Sequence, residues 1–511
     1  MKLTKKKDRL PGLIIASILG VSEIAFAVLL LYTKLLSMKY MGILLAGLLL
    51  LWIVVFLLVK KIRKKIRFSL GVVLFCIILA AMVLASLYIY KTVSALDTIT
   101  GVNKEVIDIN AYVQKDDKAQ NIKDASQYTF GILKELDREN TDEALKKIYF
   151  EVGSEVKIQE YEGLTQLADG LEKGECQVIL LNRAYLDIYE EMDQYTGFVS
   201  QIRKIATFSV ESVVERKKPV MADQGISKGE TDTKTNSEEK KQDDAAITDE
   251  VYTVYISGID TRGEMTASSR SDVNIILTIN MRTKQILMVS TPRDYYVPLS
   301  ISNGVPDKLT HAGIYGVNVS MDTLSMLYGI DINYYFRVNF GGFVKIIDAL
   351  GGITVYSDYE FDSRGCHFNQ GENLLNGEQA LIFSRERYSF KDGDRQRGKD
   401  QMAVIQAVVD KVTTPDFLKN YLSVMDSLSG CFETNVPYDL IASLVREQLD
   451  KGGKWQVLSY SADGTGSSQK PYSMSQKAYV MIPDTATVDK AKVLMKKVRD
   501  GYEISSSDVA K

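Results

Sequence analysis

Three apolar runs crowd the first ninety residues, and they constrain what this chain can fold into more than anything that follows. They cover about Leu13–Tyr32, Met41–Val59 and Ser69–Tyr90. Each is close to the roughly 20 apolar residues that a helix needs to cross a bilayer. A single charge, Glu23, falls inside them. Two further runs follow the first closely and no small-residue cleavage site stands out, so the first reads as a retained span and not as a cleaved signal peptide. Basic residues set the direction. Lys2, Lys5, Lys6, Lys7 and Arg9 precede the first run, and Lys60, Lys61, Arg63, Lys64, Lys65 and Arg67 fill the second loop. The first loop holds only Lys34 and Lys39. The positive-inside rule then puts the amino terminus and second loop in the cytoplasm. Three crossings leave the roughly 420 residues after Tyr90 outside the cell.

A net charge of −3 gives no reason to expect a nucleic-acid partner. Four segments are expected: spans over 1–90, a small exterior α/β accessory module over 91–214, a linker over 215–250, and a larger domain over 251–511. In the module, "ENTDEALKKIYFEV" (Glu139–Val152) has helical spacing, "CQVILLN" (Cys176–Asn182) reads as a buried strand and "RAYLDIYEEM" as a helix. The linker is rich in Lys, Glu, Asp, Ser and Thr and poor in aliphatics, so it cannot bury enough apolar surface to fold. At about 36 residues its span is on the order of 30 Å, a leash on which the next domain moves. In that domain "DVNIILTIN" and "KQILMVSTPRD" flank the turn "MRT" as a hairpin. Strands at Val251–Asp260, "YYFRVNF", Ile353–Tyr356, Trp455–Tyr460 and Ala478–Ile482 alternate with helices at His311–Tyr328, "GGFVKIIDAL", "GEQALIFSRER", "KDQMAVIQAVVDKV", Asp416–Ser429, Asp439–Leu449 and Val488–Val498. The expected fold is α/β, a central mixed sheet flanked by helices on both faces.

Arg270, Arg293, Arg385, Arg387 and Arg397 fall in short clusters interleaved with Asp260 and Asp272. A guanidinium keeps its charge and presents a fork that matches phosphate oxygens. Two carboxylates among such cations suggest an oxygen-seeking metal beside the phosphates. Gln401 lies one helical turn beyond Arg397 and faces the same way. Isolated arginines and aspartates in loops are otherwise solvated or paired with one another. His311, one of two histidines, has no second ligand at metal spacing and reads as structural. Cys366 and Cys431 are candidates for a disulfide in an oxidising exterior, with two separate buried thiols as the equal alternative.

The motifs "GIDTRG" (Gly258–Gly263), "RSDVNIIL" (Arg270–Leu277), "STPRD" (Ser290–Asp294), "KLTHAGIYG" (Lys308–Gly316), "NFGGFVKIIDALGGI" (Asn339–Ile353) and "GEQALIFSRERYSFKDGDRQRGKDQ" (Gly377–Gln401) together resemble the LytR–CpsA–Psr family, in its order and spacing. Three spans and an extra exterior module resemble its capsule-type subgroup. The resemblance implies a transferase on the outer face of a Gram-positive cell membrane. Its substrates would be a glycopolymer on a polyprenyl-pyrophosphate carrier, here a capsular polysaccharide, and peptidoglycan, with polyprenyl phosphate released. Wall teichoic acid or another secondary polymer is the alternative. It further implies Asp260 and Asp272 on Mg2+, and Arg270, Arg293, Arg385, Arg387, Arg397 and Gln401 on the pyrophosphate. Of these, Arg270, Arg293 and Arg397 would act in catalysis. Asp394 is the candidate base for the acceptor hydroxyl, or else it orients an arginine or a metal-bound water. A homo-oligomer or a capsule-assembly machinery would be its partners. Pyrophosphate hydrolysis is a possible side reaction, and a non-catalytic receptor for the lipid pyrophosphate is a rival reading. A transcriptional regulator is disfavoured, because no helix-turn-helix pattern is present and the cytoplasmic loops are short.

Overall fold

The computed structural model describes residues 10–33, 38–60, 65–99, 104–213, 220–221, 250–259, 269–391, 393–414, 417, 428, 430–474 and 476–510. They fall into two compact units. The first holds the three apolar helices α1 (Leu10–Tyr32), α2 (Met38–Val59) and α3 (Lys65–Ile99), together with a later helix, Tyr438–Lys451. All three are long and apolar enough to cross a membrane. Glu23, the one charge within the three apolar runs, is buried. The Trp52 indole donates to the Ala16 carbonyl at 2.8 Å, tying α2 to α1. The Tyr438 hydroxyl donates to the Thr33 carbonyl at 2.9 Å, just past the end of α1. Residues 436–454, expected in the larger domain, thus group with the spans.

The second unit contains two sheets. The first is built from β1 (Lys104–Gln114), β2 (Thr129–Leu133), β3 (Lys157–Tyr161), β4 (Val178–Asn182) and β5 (Ile202–Val213), in the order β3-β2-β4-β1-β5. Helices α4 (Arg138–Val152), α5 (Leu164–Glu172), α6 (Leu186–Glu190) and α7 (Phe198–Gln201) complete the module. The all-apolar run of β4 is explained by burial on both faces: Val178 and Leu180 pack into one core, Ile179 and Leu181 into another. The expected helix after β4 opens with a 3₁₀ turn, Arg183–Tyr185.

The second sheet contains β6 (Val220–Met221), β7 (Glu250–Ile259), β8 (Ser271–Asn280) and β9 (Gln285–Ser290). Two short strands, β10 (Tyr296–Pro298) and β11 (Pro306–Lys308), form a separate hairpin, and a 3₁₀ segment Leu309–Tyr315 leads into α8 (Val317–Tyr328). Then come β12 (Tyr334–Asn339), α9 (Phe340–Ala349), β13 (Ile353–Ser357), β14 (Phe361–Ser363), β15 (Cys366–Phe368), β16 (Gly371–Leu375), α10 (Gly377–Arg385) and α11 (Asp394–Val412). The chain closes with β17 (Phe432–Thr434), β18 (Gln456–Ser461), β19 (Gly464–Gln469), β20 (Ala478–Pro483) and α12 (Thr485–Arg499). The order of the large sheet is β17-β12-β7-β8-β9-β18, with β6 pairing β7. β12 and β18 join in parallel while β7, β8 and β9 are antiparallel, so the sheet is mixed. Alternation along the strands fills both faces. Ile276, Leu287 and Val289 pack against Leu324 of α8 and Leu494 of α12. Ile275, Leu277, Ile286 and Met288 pack against Met402 of α11. Each fully buried side chain of this size contributes roughly 2 kcal/mol.

Cys366 and Cys431 are not joined in a disulfide, which leaves the alternative of two separate thiols. Cys366 sits on β15 in the short hairpin with β14, and Cys431 is buried ahead of β17 beside the first turn of α9, where its carbonyl lies against Gly342. The module and the larger domain fall in one compact unit. The expected linker lies almost wholly outside the described residues, but the module and the larger domain share one core. Leu164, Tyr185, Tyr189 and Met192 cluster with Leu299, Ala312, Ile314 and Tyr315. The helix expected at Asp416–Ser429 lies mostly outside the described residues.

Candidate functional site

The site forms at one end of the large sheet, where β8 begins and β9 ends. The entry to β8 rests on buried hydroxyls: Tyr255 bonds Ser271 at 2.8 Å and Asn274 at 2.7 Å, and Ser257 bonds Ser271 at 2.8 Å. Below it passes the Leu309–Tyr315 segment. A Cβ on Gly313 would sit 2.4 Å from the Ser269 carbonyl and 3.0 Å from the Ser271 amide, so only glycine lets the two backbones approach this closely. Arg270 immediately precedes β8, and the pairing with β7 slips by one residue at Asp272, between the paired Ser271 and Val273.

A cleft brings together Asp272, Arg293, Asp394, Arg397 and Gln401. Arg293 Nη1 donates to Asp272 Oδ1 at 2.8 Å, and its Nε lies 3.6 Å from Asp294 Oδ2. Burial alone would lower the Arg293 pKa, but Asp272 and Asp294 outweigh it and raise it. Arg397 Nη2 meets Asp394 Oδ1 at 2.5 Å across the first turn of α11. Burial lowers the Arg397 pKa, against the pull of Asp394. The Gln401 amide donates to the Ser384 carbonyl at 3.3 Å, fixing α11 to the end of α10.

Arg270, Arg385 and Arg387 are not among the residues that line this cleft. Arg387 is within electrostatic reach of Arg397, and its guanidinium stacks on Tyr388 at 4.7 Å from the ring centroid. Its loop is shaped by Glu386, whose Oε1 accepts from the amides of Arg387, Tyr388 and Ser389. Arg385 lies over the Phe340 ring at 4.0 Å, at the start of α9. Arg270 turns to Glu191 and Asp187 of the accessory module. Asp260 lies outside the described residues. Among the described residues no three His, Cys, Asp or Glu side chains gather into a metal-holding cluster. The carboxylates that line the cleft offer oxygen donors only, the chemistry that suits magnesium. His311 is structural, as expected: fully buried, its Nδ1 lies 2.8 Å from Asp307 and 2.9 Å from Ser473 Oγ.

Sequence reasoning missed four residues. Asp294 closes the "STPRD" motif, and burial pushes its carboxyl up despite Arg293 and Lys308. Thr310 donates to Asp272 at 3.5 Å, and Lys308 reaches Glu191 Oε2 at 2.8 Å. Both stand in "KLTHAGIYG", so a motif held the signal. Glu191 carried none, because it lies in the module. Burial pushes the Glu191 carboxyl up, yet Lys308, His311 and Arg270 together hold it down at about 2.

Residues 220–497 match the LytR_cpsA_psr family. The chain belongs to that family. The LytR–CpsA–Psr relatives with curated names include polyisoprenyl-teichoic acid–peptidoglycan teichoic acid transferase TagU of Enterococcus faecalis, 35% identical over 222 residues, which cover 43% of this chain and 72% of that protein. The protein of the same name from Bacillus mycoides is 32% identical over 47% of this chain and 76% of its own length. Among solved structures, Bacillus subtilis TagV is 25% identical over 50% of this chain and 98% of its own, with a TM-score of 0.41. The family expectation from the motifs therefore holds.

Proposed function

We propose that this chain is a membrane-anchored transferase that moves a wall polymer, with one phosphate, from a polyprenyl diphosphate carrier to a hydroxyl of peptidoglycan. The observation that carries the reading is the cleft joining Asp272, Arg293, Asp394, Arg397 and Gln401. Such an array binds a diphosphate and neutralises the charge that develops as its bridge breaks. In the step, the acceptor hydroxyl attacks the phosphorus that bears the polymer. The new O–P bond forms as the bridging P–O bond breaks, and polyprenyl phosphate leaves with the electron pair. The proton of the hydroxyl passes to a carboxylate. Asp394, ion-paired with Arg397, can take it. Asp294, made more basic by burial, is the second carboxylate suited to the task. Asp272, with Asp260, would hold Mg2+, which when bound shields the diphosphate charge.

The names of the relatives favour a teichoic-acid-type polymer over the capsular one first expected. The three apolar helices supply the anchor. Basic residues favour an exterior site. The Tyr438–Thr33 contact fits the parity of three crossings, which puts the first loop and everything after α3 on one side.

The test incubates the detergent-purified full chain with a lipid-diphosphate-linked teichoic acid precursor and peptidoglycan. Polymer on peptidoglycan with release of polyprenyl phosphate supports transfer. Free phosphorylated polymer alone means hydrolysis. Binding without turnover favours the receptor and sinks the reading.

A further inference from the structure

The accessory module sends one carboxylate out of its own fold. Glu191 follows directly on α6, and its Oε1 accepts from Arg270 Nη1. Its Oε2 lies 2.8 Å from Lys308 Nζ and 4.0 Å from His311 Nε2. Asp187, one turn earlier, lies 3.7 Å from Arg270 Nε. Arg270, the arginine at the mouth of β8, is therefore held by a domain other than its own.

This contact is built in. The backbone around Glu191 cannot easily withdraw, because Ile188, Tyr189 and Met192 are fully buried in the core shared with Ala312, Ile314 and Tyr315. On the other side, the Lys308 side chain is only 9% exposed. Removing the Glu191 carboxylate would leave that buried ammonium to Asp294, whose Oδ1 is 4.0 Å away. His311 Nε2 is buried, has no hydrogen-bond partner, and faces the same carboxylate. Three cationic or donor groups thus converge on Glu191 from the larger domain.

We propose that Glu191 is a positioning residue of the transfer site, contributed by the accessory module, which holds Arg270 ready for the diphosphate. The proposal rests on the transfer reading above. An unanchored arginine must lose its rotamer freedom when the ligand binds, and a side chain fixed beforehand does not. A guanidinium has five N–H donors, so engagement of Nη1 leaves others for phosphate oxygens. The opposite role, in which Glu191 competes with the diphosphate for Arg270, predicts a change of opposite sign.

Calorimetric titration of the detergent-solubilised full chain with inorganic diphosphate and with farnesyl diphosphate, both with magnesium, decides between them. Glu191→Gln should bind both probes about tenfold more weakly. Glu191→Asp, which keeps the charge, should recover part of that loss. In an Arg270→Ala background, Glu191→Gln should add little, whereas a purely structural contribution would add in full. Unchanged or tighter binding by Glu191→Gln, or additive losses in the cycle, overturns the proposal. If Glu191→Gln fails to fold, the pair Glu191→Gln with Lys308→Met removes both buried charges and is judged by the same criterion. Should the wild type bind neither probe, the transfer reading falls as well. If it binds and Glu191→Gln binds equally, only the role of Glu191 falls.

Discussion

Arg293 reaches back from the loop after β9 to Asp272 on β8, closing a 2.8 Å ion pair across the mouth of the cleft. Asp272 is at once the partner of an arginine and the proposed metal ligand. Asp272→Asn keeps the shape and removes the charge. Transfer to peptidoglycan should fall about 100-fold or more, while diphosphate binding in magnesium-free buffer changes far less. Parallel turnover and binding assays check this, and a variant with full turnover would remove Asp272 from the chemistry.

The two carboxylates proposed for the acceptor proton separate by pH. A base works only when ionised, so activity rises with pH through its pKa. Burial raises the pKa of Asp294, which places that limb above the ordinary aspartate range. If Asp294 is the base, Asp294→Asn abolishes the acid limb of kcat/KM, whereas Asp394→Asn keeps it and weakens binding through Arg397. The reverse pattern returns the role to Asp394.

Gly313→Ala tests the close approach beneath β8. The added methyl would overlap the Ser269 carbonyl at 2.4 Å, and strain of this kind costs about 1–3 kcal/mol. The backbone that carries Arg270 must yield, so diphosphate affinity should drop in addition to the melting temperature. A variant with wild-type affinity would show that this packing does not govern the site.

Asp400 gives a stability prediction with a definite sign. It is buried on α11, Gln396 donates to its Oδ1 at 2.9 Å, and its Oδ2 has no hydrogen-bond partner. Burial raises its pKa to about 7. A carboxyl raised in the folded state contributes stability that is present below the unfolded pKa near 4 and lost as pH climbs to 7. At pH 8 the loss is at most roughly 4 kcal/mol. Asp400→Asn, neutral at every pH, should flatten that decline and melt higher than wild type at pH 8. Parallel melting profiles from pH 4 to 8 would count against a buried, protonated Asp400.

Some of this molecule was legible in its sequence for clear reasons. The β8–β9 hairpin announces itself by two apolar strands around "MRT", and β4 by five consecutive buried positions. The arginines of the cleft lay in motifs. Other parts were illegible because local pattern carries no trace of them. Strands β10, β11, β14 and β15 have three residues each, too few to display a period. Glu191 and Arg270 lie 79 positions apart, and neither sequence neighbourhood records the other. The module looked separable because its linker is polar, and a linker's composition says nothing about what the folded faces on either side do.

That joint core has a practical consequence for anyone cutting the gene. A fragment beginning near residue 250 would present Leu299, Ala312, Ile314 and Tyr315 to water, a greasy scar where the module had been. Such a surface invites clumping and sticky associations. A soluble piece that behaves well should begin close to residue 104 and keep both sheets together.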